Sequence, residues 1–198
     1  MRVLDLFSGI GGFAYAGHLL GGFTTLDFVE IDPYCQQILR KNFPNVPIHD
    51  DITTFDTSFR FGEYDLITAG FPCQDLSSAG KQAGLGAGTR SGLFYRVMQI
   101  ARQVRPKFIL LENVANTISH NKGQTFQQIL HEIAQSGYNA EWGIVSASDV
   151  GACHLRKRIW IIAYANDPRY YRTSKRQIDS KRTDTVVKWY ESLPQHTR

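Results

Sequence analysis

Asp5-Leu6-Phe7-Ser8-Gly9-Ile10-Gly11-Gly12-Phe13 is the stretch that decides the fold. It joins a short apolar run, Val3 to Phe7, to a helical pattern from Phe13 to Leu20 through a glycine-rich turn. A strand that feeds a helix through such a turn is the opening unit of an α/β fold. Glycines there let backbone amides approach a ligand closely at a helix N-terminus. The spacing is Gly-x-Gly-Gly, not the Gly-x-Gly-x-x-Gly of dinucleotide folds, which disfavours a nicotinamide cofactor. A tight turn with no ligand is the other reading of this motif taken alone.

The pattern repeats outward from that unit. Leu26 to Val29 reads as a second strand ending in Glu30. Asp32-Pro33 then signals a helix, with Asp as N-cap and Pro at the first helical position, running to about Asn42. Val46 to Ile48 is a weak third strand, followed by Asp50-Asp51, and Tyr64 to Ala69 is a fourth. Next comes a long glycine-rich loop to about Arg90, a lid in type. Leu93 to Gln103 is helical, Lys107 to Leu111 is a fifth strand running into Glu112-Asn113, and Thr125 to Gln135 is a helix stopped by Gly137. Ala140 to Ala147 and Ile159 to Tyr164 are two more strands with no clear helix between them. Alternating strands and helices predict a mostly parallel sheet covered on both faces, and the last pair predicts an antiparallel hairpin at one edge. After Ala165 the pattern fails, and Arg169 to Arg198 is polar with no sustained period. The expected organisation is one domain over residues 1–165 and a tail over 166–198.

Composition bounds the function. At 198 residues and 42% hydrophobic content the chain can bury a sizeable core. No apolar run approaches the roughly 20 residues of a membrane span, and the N-terminus is too short and too soon acidic for a signal peptide. Cys35, Cys73 and Cys153 are an odd set without metal-ligand spacing, which favours reduced thiols in a cytoplasmic setting. The net charge of +4 lies wholly in residues 166–198, where eight Lys and Arg face four Asp and Glu. Basic tails often meet nucleic acid, and a solvated tail fits the charge equally well.

Several residues carry chemistry. In Gly70-Phe71-Pro72-Cys73-Gln74-Asp75-Leu76-Ser77, a thiol sits at the carboxyl end of a strand on a backbone stiffened by Pro72. Open α/β sheets gather their catalytic groups at that edge, so the loop reads as a mount for a nucleophile. A lone cysteine is otherwise a buried thiol or an inert loop residue. Glu30 ends its strand where a carboxylate accepts ribose hydroxyls, and Asp51 where it would accept from an adenine amino group. Each acid alone is more often a solvated or capping residue. Glu112, at the end of the neighbouring strand, is within reach of whatever the thiol attacks. In a strand-like segment, His154, Arg156 and Arg158 would share one face, placing two guanidinium groups beside a carboxyl or phosphate. An exposed basic edge is the plainer alternative.

These residues together resemble the DNA (cytosine-5)-methyltransferases. Asp5 to Phe13 is similar to that family's first motif, Gly70 to Gly80 to its Pro-Cys nucleophile motif, and Arg90-Ser91-Gly92-Leu93-Phe94 to the motif after its mobile loop. Glu112-Asn113-Val114 resembles the segment that grips the target base, and Arg156-Lys157-Arg158 the Arg-x-Arg motif. The resemblance implies a Rossmann-like, S-adenosylmethionine-dependent methyltransferase fold. It implies cofactor contacts from Phe7, Ser8, Gly9, Gly11 and Gly12, with Glu30, Ile31, Asp51, Ile52 and Pro72 around the nucleoside. Cys73, Glu112, Arg156 and Arg158 would be catalytic, and Gln74, Ser77, Arg90 and Asn113 would touch the substrate.

The implied reaction transfers a methyl group from S-adenosylmethionine to C5 of a cytosine flipped out of double-stranded DNA, through a covalent Cys73–C6 intermediate. The match runs in order through residues 1–165. His154 stands where the family often has Gln, and Ile31 where some members have an aromatic residue. Nothing after Asp167 matches the family's later recognition and cofactor motifs, so the tail is at most the opening of a recognition region. Three alternatives stay open: a split enzyme whose second polypeptide supplies those motifs, a remnant that binds cofactor or DNA, and an RNA cytosine-5 methyltransferase.

Overall fold

The computed structural model describes residues 1–72 and 92–166. In chain order these form β1 (Arg2–Leu6), α1 (Gly12–Leu20), β2 (Thr24–Val29), α2 (Pro33–Asn42), β3 (Ile48–His49) and β4 (Leu66–Gly70). After the gap come α3 (Gly92–Val104), β5 (Phe108–Val114), α4 (Gln124–Gln135), β6 (Tyr138–Val145) and β7 (Arg158–Ala165). The strands make one seven-stranded sheet in the order β3-β2-β1-β4-β5-β7-β6. All pairs are parallel except those of β7, which runs antiparallel to both β5 and β6. The expected hairpin is therefore present, with β7 inserted beside β5 and β6 left at the edge.

Local chemistry sets the junctions. Asp32 caps α2, its Oδ1 accepting from the amides of Tyr34 at 2.8 Å and Cys35 at 3.4 Å, with Pro33 at the first helical position. Some boundaries differ from the sequence reading. The third strand is reduced to Ile48–His49, and the fourth begins at Leu66 rather than Tyr64. Tyr64 instead buries its ring and donates its hydroxyl to Asp27 Oδ2 at 2.6 Å, while Arg60 binds both groups. That demand for a polar partner pulls Tyr64 out of the strand ladder. The fifth strand runs on through Glu112, Asn113 and Val114 because β7 pairs with it as far as Val114↔Arg158.

The sheet separates two apolar layers. On one face α3 and α4 bury Val97, Met98, Ala101, Ile129 and Ile133 against Leu4, Leu6, Ile67, Ala69, Ile109, Leu111, Ile159 and Ile161. Full burial of each such large side chain contributes roughly 1.5–3 kcal/mol before entropy is charged. On the other face a smaller cluster joins Ala14 of α1, Phe28 of β2 and Leu39 of α2. The expectation of helices over both faces holds only for the half built on β1, β2 and β3. Among the described residues no helix lies over β5, β7 and β6 on the α1 side, and Ile162 there is 43% exposed. None of the described helices is long and apolar enough to cross a membrane.

Gly11 shows what the first turn requires. Its φ is +90°, and a Cβ there would lie 2.7 Å from Phe43 Cε2 and 3.0 Å from Leu39 Cδ2. α1 therefore starts in direct contact with the end of α2. Gly11→Ala is expected to destabilise the chain by about 1–3 kcal/mol, through overpacking and a strained backbone. Urea unfolding monitored by circular dichroism measures this as a lower midpoint with an unchanged slope.

Candidate active site

The carboxyl ends of β1, β2, β4 and β5 face one edge, and the sequence-predicted residues fall there in two groups. The first surrounds the glycine turn. Ser8 is buried, and its hydroxyl donates to the Asp5 carbonyl at 2.7 Å while its amide donates to Val29 at 3.2 Å. It ties β1 to β2 instead of presenting its hydroxyl. Phe7 and Gly9 both have φ of 54°, so the chain bends sharply at each. Glu30 is buried; its Oε2 accepts from the Gly9 amide at 2.7 Å and its Oε1 from the Asp32 amide at 2.8 Å. Each oxygen keeps further acceptor capacity. A Cβ on Gly9 or Gly12 would meet nothing within 4 Å, so space opens before both, whereas the Gly11 side is filled by α2.

Farther along the edge, Ile31 and Pro72 are exposed. Asp51 Oδ1 accepts from the Thr53 amide at 2.8 Å. Ile52 differs from its expected place: its side chain joins the main core, and its carbonyl accepts from Arg96 Nε at 2.9 Å. It supports the Asp51 loop from beneath.

One buried acid was not foreseen as part of this group. Asp5 is fully buried; its Oδ1 accepts from the Thr68 hydroxyl at 2.6 Å, and its Oδ2 has no partner. Burial, and then the nearby Glu30 charge, push its pKa from 3.8 to about 7 against the lowering effect of Thr68. With Glu30, it places two buried carboxyl groups behind the turn.

The second group lies where β4 meets β5. Gly70 is in register with Glu112, and Glu112 with Trp160 of β7. Arg158 Nε donates to Glu112 Oε1 at 2.7 Å. A Cβ on Gly70 would lie 3.5 Å from Glu112 Oε2 and 4.0 Å from the Phe13 ring, which meets Trp160 edge-on at 5.9 Å between centroids. A carboxylate held by a guanidinium is thus framed by two aromatic rings and a residue without a side chain.

Strand alternation sends Asn113 to the opposite face. It is buried, its Nδ2 donating to the Phe71 carbonyl at 3.1 Å and its Oδ1 accepting from the Val114 amide at 2.7 Å and Thr117 Oγ1 at 3.3 Å. Expected to touch substrate, it instead anchors the backbone just before Pro72. Arg156 does not share a face with Arg158. The strand begins at Arg158, and Arg156 is exposed with a φ of 27°, so the two-residue period of a strand does not reach it or His154. Cys73, Gln74, Ser77 and Arg90 lie outside the described residues. Phe13, Trp160, Arg96 and Asp5 were missed as site residues. Trp160, two residues beyond Arg158 on one strand, was the available signal.

Comparison with known proteins places this geometry. Residues 1–197 match the family model described as C-5 cytosine-specific DNA methylase. Type II methyltransferase M1.ScrFI of Lactococcus lactis subsp. cremoris is 36% identical over 163 residues, covering 82% of this chain and 41% of that protein. Type II methyltransferase M.HhaI of Haemophilus parahaemolyticus is 34% identical over 167 residues, covering 84% of this chain and 50% of that protein. Among solved structures, the S. pombe Dnmt2 methyltransferase superposes with a TM-score of 0.65 at 27% identity, covering 84% of this chain and 50% of that one. The chain spans about half the length of the curated relatives it matches.

Asp5 makes stability depend on pH. The folded chain holds its proton up to about pH 7 and the unfolded chain only to about 3.8, so between these values the folded state binds more protons. The contribution is complete below the lower value and is lost as pH rises through the upper one. The thermal midpoint is expected to fall as pH rises from about 4 to about 7, and Asp5→Asn to flatten that segment of the profile. An unchanged slope in the variant would assign it to other groups.

Proposed function

The chain belongs to the C-5 cytosine-specific DNA methylase family, and from that membership we propose that residues 1–165 bind S-adenosylmethionine and direct methyl transfer to C5 of cytosine in double-stranded DNA. The observation that carries the reading is the Gly70↔Glu112 register, with Arg158 on the carboxylate and Asn113 on the backbone that leads into Pro72-Cys73.

The first group fits the cofactor. Glu30 offers acceptor positions for ribose hydroxyls and a negative charge for a ligand with sulfonium and ammonium groups, and open space fronts Gly9 and Gly12. Glu30, Gly9, Gly12 and Asp51 would hold it, with Ile31 and Pro72 as apolar walls. Bound S-adenosylmethionine supplies an electrophilic methyl group.

The chain's own residues do the rest. The Cys73 thiolate adds to C6 of a cytosine extruded from the duplex, since the ring is unreachable while stacked. Glu112, acting as an acid, donates a proton to N3 and so neutralises the charge that the addition places on the ring. Arg158 keeps that carboxylate in place. After methylation the C5 proton passes to solvent and N3 returns its proton to Glu112, which expels the Cys73 thiolate from C6 and restores the aromatic ring.

Two measurements test the parts separately. Calorimetry with S-adenosylmethionine should show binding, weakened about 10- to 100-fold in Glu30→Gln by loss of a charged acceptor. DNA carrying 5-fluorocytosine should form a denaturation-resistant adduct in the presence of cofactor, because fluorine blocks the final elimination. The adduct should be absent in Cys73→Ser and form on the order of 10²- to 10⁴-fold more slowly in Glu112→Gln. Binding without any adduct would leave a cofactor-binding domain only, and an adduct on RNA alone would move the substrate class.

A further inference from the structure

β3 ends at His49, two residues before Asp51, so no strand ladder reaches that acid. The chain then runs to β4 without another strand or an α-helix. What holds Asp51 in place comes from the two helices on either side. Gln36 of α2 donates through Nε2 to Asp50 Oδ1 at 3.1 Å and to the Glu30 carbonyl at 2.7 Å. Arg96 of α3 donates through Nε to the Ile52 carbonyl at 2.9 Å and through one terminal nitrogen to the Phe55 carbonyl at 2.9 Å. Its other terminal nitrogen donates to Gln99 Oε1, also at 2.9 Å. With all three nitrogens engaged, the guanidinium is held in one orientation.

We infer that Arg96 is a positioning residue for cofactor binding, which fixes the turn at Asp51 and so aims its carboxylate. The inference rests on the cofactor reading given above. Asp51 opens a tight turn, its Oδ1 accepting from the Thr53 amide at 2.8 Å and its carbonyl from the Thr54 amide at 3.3 Å. Ile52 and Phe55, within and just after that turn, sink their side chains into the main core. Carbonyls drawn inward with them need donors from the protein. One guanidinium fork serves both, and so pins the two ends of the segment that follows Asp51. The base is firm, because Val97, Met98 and Ile100 beside Arg96 on α3 are fully buried. Gln36 ties the preceding residue to the Glu30 backbone, so the two expected nucleoside acids share one frame. An acceptor held in place before the ligand arrives loses little freedom on binding. The described donors of Arg96 go to backbone and to Gln99, so it acts on a ligand only through Asp51. A lysine would keep the charge and lose the fork.

Two readouts on the full chain test this. Without ligand, the Thr53 and Thr54 amides report the Asp51 turn; their hydrogen exchange should quicken at least about fivefold in Arg96→Ala while β1 and β4 exchange as before. With S-adenosylmethionine, calorimetry should show binding about tenfold weaker in Arg96→Ala and about threefold weaker in Arg96→Lys. In an Asp51→Ala background, Arg96→Ala should change affinity less than about twofold, because the group it positions is gone. A role in general stability alone would give the same loss with or without Asp51. If Arg96→Ala does not fold, Arg96→Lys carries the same cycle at its smaller scale. Unchanged exchange, unchanged affinity, or a full loss that persists without Asp51 would each overturn the inference and leave the cofactor reading intact. No binding by the wild-type chain would overturn the cofactor reading, and with it the role given to Arg96, whatever the exchange shows.

Discussion

Parallel strands transmit position. β4 and β5 are fixed against each other by a ladder that sets Gly70 beside Glu112, and the rest of the site is built on that register. The absence of a side chain at Gly70 keeps the carboxylate open, and Arg158 reaches it because β7 pairs with β5 through the same rows. Removing one charge from this partly buried pair would leave the other uncompensated, which costs more than the pair contributes. The burial of α3 and α4 beneath these strands is what holds the register, since slipping by one residue would turn every covered side chain outward.

The turn after β1 depends on a second shared group. Glu30 accepts from the turn at Gly9 and from the cap of α2 at Asp32, so a single carboxylate fixes two chain reversals before it meets any ligand. A hydroxyl-bearing ligand then adds to an acceptor already oriented, and little ordering remains to oppose binding. Asp5 lies beneath, its pKa raised by burial and its unpartnered oxygen closed off from solvent.

Much of this was legible in the sequence for identifiable reasons. Asp32-Pro33 and the glycine turn announce themselves because capping and left-handed backbone demand particular residue types. Glu112 was legible as a strand end, and its partner Arg158 as one of two candidate arginines. What separated Arg158 from Arg156 was the start of β7, a tertiary pairing with no local signature. The opposite duties of Glu112 and Asn113 follow from strand alternation, yet motif resemblance treats them as one unit. Ile52 was assigned by its neighbour Asp51, and only packing shows it turned inward. The half of the sheet that no described helix covers on the α1 side escaped notice because alternation of strands and helices counts helices without saying which face each one covers.

Asn113 and Glu112 are consecutive residues of one strand, one holding the backbone at Phe71 and the other the carboxylate paired with Arg158. Carboxylate and backbone anchor are therefore fixed to the same strand. Because β5 is paired on both sides, by β4 and by β7, neither group can be re-aimed without the other, and a substitution that displaces this strand disturbs both at once.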